Sequence, residues 1–250
     1  LLYVPAKIPY DLFLPASERA SGIHLYVRNV YITDSCGEIV PPYLRFLRGV
    51  VDSSDVPLNI SREMLQDHAV IRRIRKSLVG KVLGALAEMR DREADTYARF
   101  YDEFGPILKE GLAIDPENRD KLLDLLRFES VAEAGTKISL KTYTSRLPEG
   151  QKAIYYLVAD SPDVARQSPL LEAFRARKLD VLLLTDPVDA WIESALDAYA
   201  DHPFQAIHRG ELELPPPADK GETAPPPESK EALPGLREAI QKRLTDTVRE

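Results

Sequence analysis

Cysteine occurs once in the 250 residues, at Cys36, so the chain closes no internal disulfide, a usage that fits a reducing compartment. Long apolar runs are missing: none approaches the roughly 20 residues that span a bilayer, and no stretch reads as a signal peptide. Histidine is scarce, and His24, His68, His202 and His208 show no metal-ligand spacing with carboxylates or with Cys36. Neither a Gly-x-Ser-x-Gly elbow nor a Gly-x-x-x-x-Gly-Lys phosphate loop is present, so a complete active site of either type is absent. Positive charge is in deficit. A net charge of -7 argues against general nucleic-acid binding, and the local run Arg72-Arg73-Ile74-Arg75-Lys76 reads as a solvated helix face. With 44% hydrophobic and 29% charged residues the chain is neither disordered nor a membrane protein, and its length supports more than one domain.

What is there is concentrated in residues 49–66, read as a polar loop that runs into a long helix. Asp52, Ser53, Ser54 and Asp55 are turn formers, Pro57 forbids a helix through the loop, and Asn59 or Ser61 can cap the helix that starts at Arg62. A helix N-terminus carries partial positive charge and unpaired N–H groups, so an arginine in its first turn is misplaced unless an anion meets it. Guanidinium suits phosphate because it stays charged and offers a planar fork of donors. Gln66 lies one turn on, on the same face as Arg62. For a lone arginine, pairing with a surface carboxylate such as Glu63 or Asp55 is the commoner outcome.

In chain order, residues 1–4 and 23–33 read as strands, with alternation through Leu25, Val27, Val30 and Ile32. Between them Ile8, Tyr10, Leu12, Phe13 and Leu14 are broken up by Pro5, Pro9 and Pro15, which bars a central strand. Packed under the sheet this segment is ordinary core; exposed, it is an apolar patch. Pro41-Pro42 opens a short helix. The long helix is expected from Arg62 to about Met89, with Gly80 and Gly84 explained by close packing of a neighbour. Tyr97, Phe100, Tyr101 and Phe104 form an aromatic core stripe ended by Gly105-Pro106, and Asp115-Pro116 caps and restarts a helix. Residues 152–208 alternate β-α-β-α-β, with helices at 169–177 and 187–199, which implies a small parallel sheet. A stand-alone α/β enzyme using that sheet is the alternative reading, but Ala159-Asp160-Ser161-Pro162 stands where a glycine-rich phosphate turn is needed. Trp191 sits in a stripe with Val188, Ile192, Ala195 and Tyr199, for which core packing is the default. Residues 215–230 read as a proline-rich linker, and 233–248 as one amphipathic helix.

The uninterrupted run from Tyr43 to Gln66, with Leu1-Leu2-Tyr3-Val4-Pro5, Leu25-Tyr26-Val27-Arg28, Leu108-Lys109-Glu110-Gly111, Leu125-Leu126-Arg127-Phe128, Ser145-Arg146 and Ile154-Tyr155-Tyr156, resembles the ninety-kilodalton heat-shock-protein chaperones, bacterial branch. The resemblance covers residues 1 to about 214 as the middle domain, and 231–250 as the start of the C-terminal domain. It implies an α/β fold: a larger α/β/α unit over 1–91 whose first strands precede Leu1, connecting helices over 92–133, and a smaller α/β/α unit with a mostly parallel sheet over 134–214. It further implies that Arg62 and Gln66, with Asn59 as a weaker contact, reach the phosphates of ATP, with magnesium, held by a separate N-terminal ATPase domain. Leu12, Phe13, Leu14 and Trp191 fall where the family contacts non-native client proteins. The implied partners are that ATPase domain, a C-terminal dimerisation domain and clients, in a cytoplasmic homodimer, with no nucleic acid and no membrane; this chain alone is expected to be inactive.

Overall fold

The computed structural model of the chain describes residues 1–14, 22–33, 39–54, 69–148, 150–209 and 214. The chain divides into two units, Leu1–Pro215 and Pro216–Glu250. The second unit, which takes in all but the first residue of the expected linker and the final helix, lies outside the described residues, as does Cys36.

The first sheet is mixed. Strands β1 (Leu2–Tyr3), β2 (Ile23–Val27), β3 (Val30–Thr33) and β4 (Arg48–Ser53) lie in the order β1-β4-β2-β3, with β4 parallel to β2 and antiparallel to β1. Ile23, Leu25 and Val27 point alternately into the core, as the pattern requires. The alternation does not carry on to Val30, which is half exposed. Arg28 and Asn29, at φ 51 and 63, make a tight hairpin turn that resets the phase. Residues 49–53, expected as loop, instead continue the strand that starts at Arg48: five consecutive residues from Gly49 to Ser53 register against Ile23–Val27.

Helix α1 (Ala69–Arg92) is about 36 Å long and is followed by α2 (Ala94–Lys109), α3 (Gly111–Ile114) and α4 (Arg119–Leu125). Here two expectations are corrected. A Cβ on Gly80 or Gly84 would meet nothing within 4 Å, so no neighbour in the described structure accounts for these glycines. Pro106 does not end α2 but sits inside it. A proline removes one helical donor and crowds the preceding turn; burial of Ile107, Leu108 and Lys109 carries the helix past it, and Gly105 gives way to the Tyr101 ring, which a Cβ would meet at 2.8 Å. The aromatic stripe is core as expected, with Phe46 and Phe104 ring centroids 5.0 Å apart. Its hydroxyls also work: Tyr97 donates to the Leu125 carbonyl and Tyr101 to that of Arg127, joining α2 to the end of α4 and the strand beyond. Asp115 accepts from the Asn118 N–H and caps the short 3-10 turn Pro116–Asn118.

The second sheet comprises β5 (Arg127–Ser130), β6 (Lys137–Ser139), β7 (Ile154–Val158), β8 (Leu182–Leu184), β9 (Ala198–Tyr199) and β10 (His202–Ala206), in the order β6-β5-β8-β7-β10-β9. β8, β7 and β10 are parallel and the flanks antiparallel. β7 is buried on both faces. Ile154 and Tyr156 join the core shared with the first sheet and the helices, while Tyr155 and Leu157 join a second cluster with Leu171 and Phe174. Of the intervening helices α5 (Leu140–Ser145), α6 (Pro162–Arg166), α7 (Glu172–Arg175) and α8 (Asp189–Ile192), the last is shorter than expected. A 3-10 turn, Glu193–Ala195, follows it and Tyr199 enters β9, where it pairs with His202.

Candidate functional site

Strand β4 delivers the chain to the segment singled out from the sequence, and its first residue anchors it. Arg48 donates through Nη1 to the carbonyls of Arg45 and Leu47, and through Nη2 to both carboxylate oxygens of Asp11 at 2.9 and 2.7 Å. The next residue is packed without slack. Gly49 has φ +134 and lies so close to β1 that a Cβ would stand 2.2 Å from the Leu1 carbonyl oxygen, while its N–H donates to Gly22 at 2.9 Å. Just upstream, the turn carrying Tyr43 and Arg45 is pinned to the helices: Tyr43 donates to Asp115 at 2.6 Å, and Arg45 grips Glu110 through both terminal nitrogens. Burial and the adjacent carboxylate push the Tyr43 hydroxyl far above its ordinary pKa, so it stays a donor.

The exit of β4 is held from the β2–β3 turn. The Arg28 N–H donates to the Ser53 carbonyl at 3.3 Å, its Nε to that of Ser54 at 3.4 Å, and the Asn29 N–H to the Asp52 carboxylate at 3.4 Å. On the far side α1 is seated by Ile71, Val79, Leu83 and Leu86, and its last turn is tied down where Arg90 donates to the Asp124 carbonyl. The segment between Ser54 and Ala69 therefore joins two well-anchored elements. Asn59, Arg62 and Gln66 lie outside the described residues. By residue type they fit a phosphate, a guanidinium fork and an amide donor, and no more of a nucleotide than that. Among the described residues no group of three His, Cys, Asp or Glu side chains could hold a metal ion.

The apolar segment divides. Leu12 is core, 7% exposed, so it contributes nothing to a surface patch in this structure. Leu14 is half-buried and Tyr10 is 79% exposed; the Phe13 side chain lies outside what is described. A groove of about 310 Å³ between this end of the chain and the helices is lined by Val4, Pro5, Met89, Phe100 and Phe104. Trp191 leaves the core to Ile192 and is 52% exposed, against the default expectation.

Two buried charge clusters escaped sequence reasoning. The Lys109 ammonium lies 2.7 Å from both Asp186 and Asp189 and 4.6 Å from the centroid of Phe128. Glu193 accepts from Tyr156 and Arg209 and lies 3.1 Å from His208, fixing the residues that follow β10. The partners stand 77 and 80 residues apart in the first cluster, so no spacing rule could join them; the Lys109-containing word matched above was the one available signal.

Two mixed sheets with helices between them in the chain are the architecture of a heat-shock-protein middle domain. The structure is similar to the middle domain of a Plasmodium falciparum heat shock protein, with a TM-score of 0.73 and 31% identity over 82% of this chain and 80% of that one. The family model described as Hsp90 protein matches residues 1–250, and the chain belongs to the Hsp90 family. It is 50% identical over 253 residues to the chaperone protein HtpG of Geobacter sulfurreducens, covering 100% of this chain and 38% of that protein. Against HtpG of Pseudoalteromonas translucida the identity is 43% over 252 residues, covering 100% and 39%. The chain thus spans about two-fifths of the length of the curated relatives it matches.

Proposed function

We propose that this chain is the middle domain of a cytoplasmic, ATP-driven, homodimeric chaperone, and that Arg62 and Gln66, with Asn59, contact the ATP phosphates held with magnesium by an N-terminal domain of the same protein. A C-terminal domain provides dimerisation, and Leu14, Phe13 and Trp191 contribute to a surface for non-native chains. ATP, when bound, supplies the phosphoryl bond whose hydrolysis drives the cycle. The observation that supports the reading is that the elements described on either side of residues 55–68, β4 and α1, are each anchored, and a guanidinium delivered from outside a nucleotide site must arrive in register. The domain boundaries read from the sequence are part of this proposal; Arg127–Ser130, counted there with the connecting helices, pairs as β5 in the second sheet.

The test is Arg62→Ala in the full-length protein. Turnover is expected to fall about tenfold or more, near 1.4 kcal/mol, with ATP affinity nearly unchanged, because base and sugar contacts lie elsewhere. Arg62→Lys, which keeps the charge and loses the fork, should recover only part of the rate. Unchanged turnover would return Arg62 to an ordinary surface pair, and a parallel loss of affinity would make it a ground-state binding residue. The isolated chain should bind no ATP, since two side chains supply neither base pocket nor magnesium ligands; micromolar binding would overturn the reading.

A further inference from the structure

The apolar segment near the N-terminus and the strand that leads toward residues 55–68 are joined by an ion pair in which one guanidinium nitrogen of Arg48, Nη2, donates to both carboxylate oxygens of Asp11. In the short 3-10 turn Tyr10–Phe13, Tyr10 faces solvent, Leu12 is buried in the core, and Asp11 between them grips Arg48. The pair is largely withdrawn from water, with side-chain exposures of 14% for Arg48 and 32% for Asp11. Among the described residues the other acceptors of Arg48 are the neutral carbonyls of Arg45 and Leu47, and Asp11 supplies the counter-charge. Removing one partner of such a pair strands the other.

The guanidinium has little room to move alone. A Cβ on Gly22 would stand 2.2 Å from its Nη1, and Gly49, next along β4, is pressed between Gly22 and Leu1. A displacement of Arg48 therefore passes into the backbone of β4, whose far end is Asp52 and Ser53, the entry to the loop. A chain seated on Tyr10 and Leu14 acts on the turn that carries Asp11, one covalent residue from its own contact.

We propose that Asp11 and Arg48 form a positioning pair through which a non-native chain bound at residues 8–14 resets β4, and with it the delivery of Arg62. This rests on the function proposed above. Neither residue touches nucleotide; Arg48 acts through the strand it begins.

The experiment uses the full-length protein, with reduced, carboxymethylated lactalbumin as a permanently non-native probe. ATP turnover is measured with and without probe, probe affinity by fluorescence anisotropy, and backbone exchange across 49–53 by hydrogen–deuterium mass spectrometry. In Asp11→Asn the probe-induced change in kcat is expected to fall to about a third or less of the parent's, with the KM for ATP and the probe Kd held within about twofold. Arg48→Lys should behave alike, because lysine keeps the charge but loses the planar spread by which Nη1 holds the Arg45 and Leu47 carbonyls while Nη2 holds Asp11. Asp11→Glu, which keeps a carboxylate and reports on folding of the site, should restore the response. Exchange across 49–53 should respond to probe in the parent and in Asp11→Glu, and not in Asp11→Asn. Equal responses in Asp11→Asn and the parent would overturn the proposal, as would a parallel loss of probe affinity, which would make Asp11 a contact residue. A parent that turns over no ATP would overturn the proposed function instead, while the exchange measurement still decides the pair.

Discussion

Replacing Lys109 by Met should be among the most damaging single changes in the chain, and the damage should depend on pH. The ammonium is 2% exposed and holds Asp189, which is fully buried, at 2.7 Å. Methionine preserves the length and apolar stem, so packing beside Phe128 is largely kept. What remains is a buried carboxylate without its cation, a loss worth about 3–5 kcal/mol. Desolvation already holds the Asp189 pKa above its ordinary 3.8, against the lowering effect of Lys109; with the lysine gone the pKa must rise further. The sign follows from linkage. Between the unfolded and the raised folded pKa the native state binds more protons, so stability falls as pH rises, and the penalty is complete above the folded pKa. Lys109→Met should therefore cost about 3–5 kcal/mol at neutral pH and progressively less toward the pKa of an ordinary carboxylate. Urea unfolding of both proteins at neutral and mildly acidic pH measures this. Adding Asp189→Leu should recover most of the loss at neutral pH, since an apolar pair needs no counter-charge. A penalty below about 1 kcal/mol, or one equal at both pH values, would refute the idea that the cluster is a desolvated charge pair.

Further outcomes concern positions outside the core. Gly80→Ala and Gly84→Ala should each stabilise α1 by about 0.5–1 kcal/mol by thermal or urea unfolding, because a Cβ there meets nothing; destabilisation would mean that another part of the full-length protein packs on that face. Trp191→Ala should leave the unfolding midpoint unchanged, yet weaken capture of a non-native probe about tenfold, as loss of the exposed half of a large aromatic surface allows. An unchanged probe affinity would return Trp191 to the status of a scattered surface residue.

Much of the second sheet and the bundle was legible because the signal there is local. The continuous apolar runs at 154–158 and 182–184, the aromatic stripe at 97–104 and the cap at Asp115 each lie within a few turns or one strand, where local hydrophobic pattern and capping chemistry act directly. Residue types likewise marked Arg62 and Gln66 as phosphate-compatible. Their mounting was not legible: Arg48 finds Asp11 across 37 residues, and Arg28 finds Ser54 across 26.

Tertiary structure reversed local preference at several places, for a common reason. Asp52 and Ser53 look like turn residues, but the backbone pairing offered by β2, with the Arg28–Asn29 turn closing over the strand end, satisfies their polar groups better than a turn would. Pro106 looks like a stop, but burial of the three residues after it exceeds the cost of one missing donor. Local propensity is a weak prior of tenths to a few kcal/mol per residue. By itself the sequence determined which segments could be helix and strand; non-local burial and hydrogen-bond satisfaction decided which of those possibilities were realised in the described residues and which distant charges came to hold them in place.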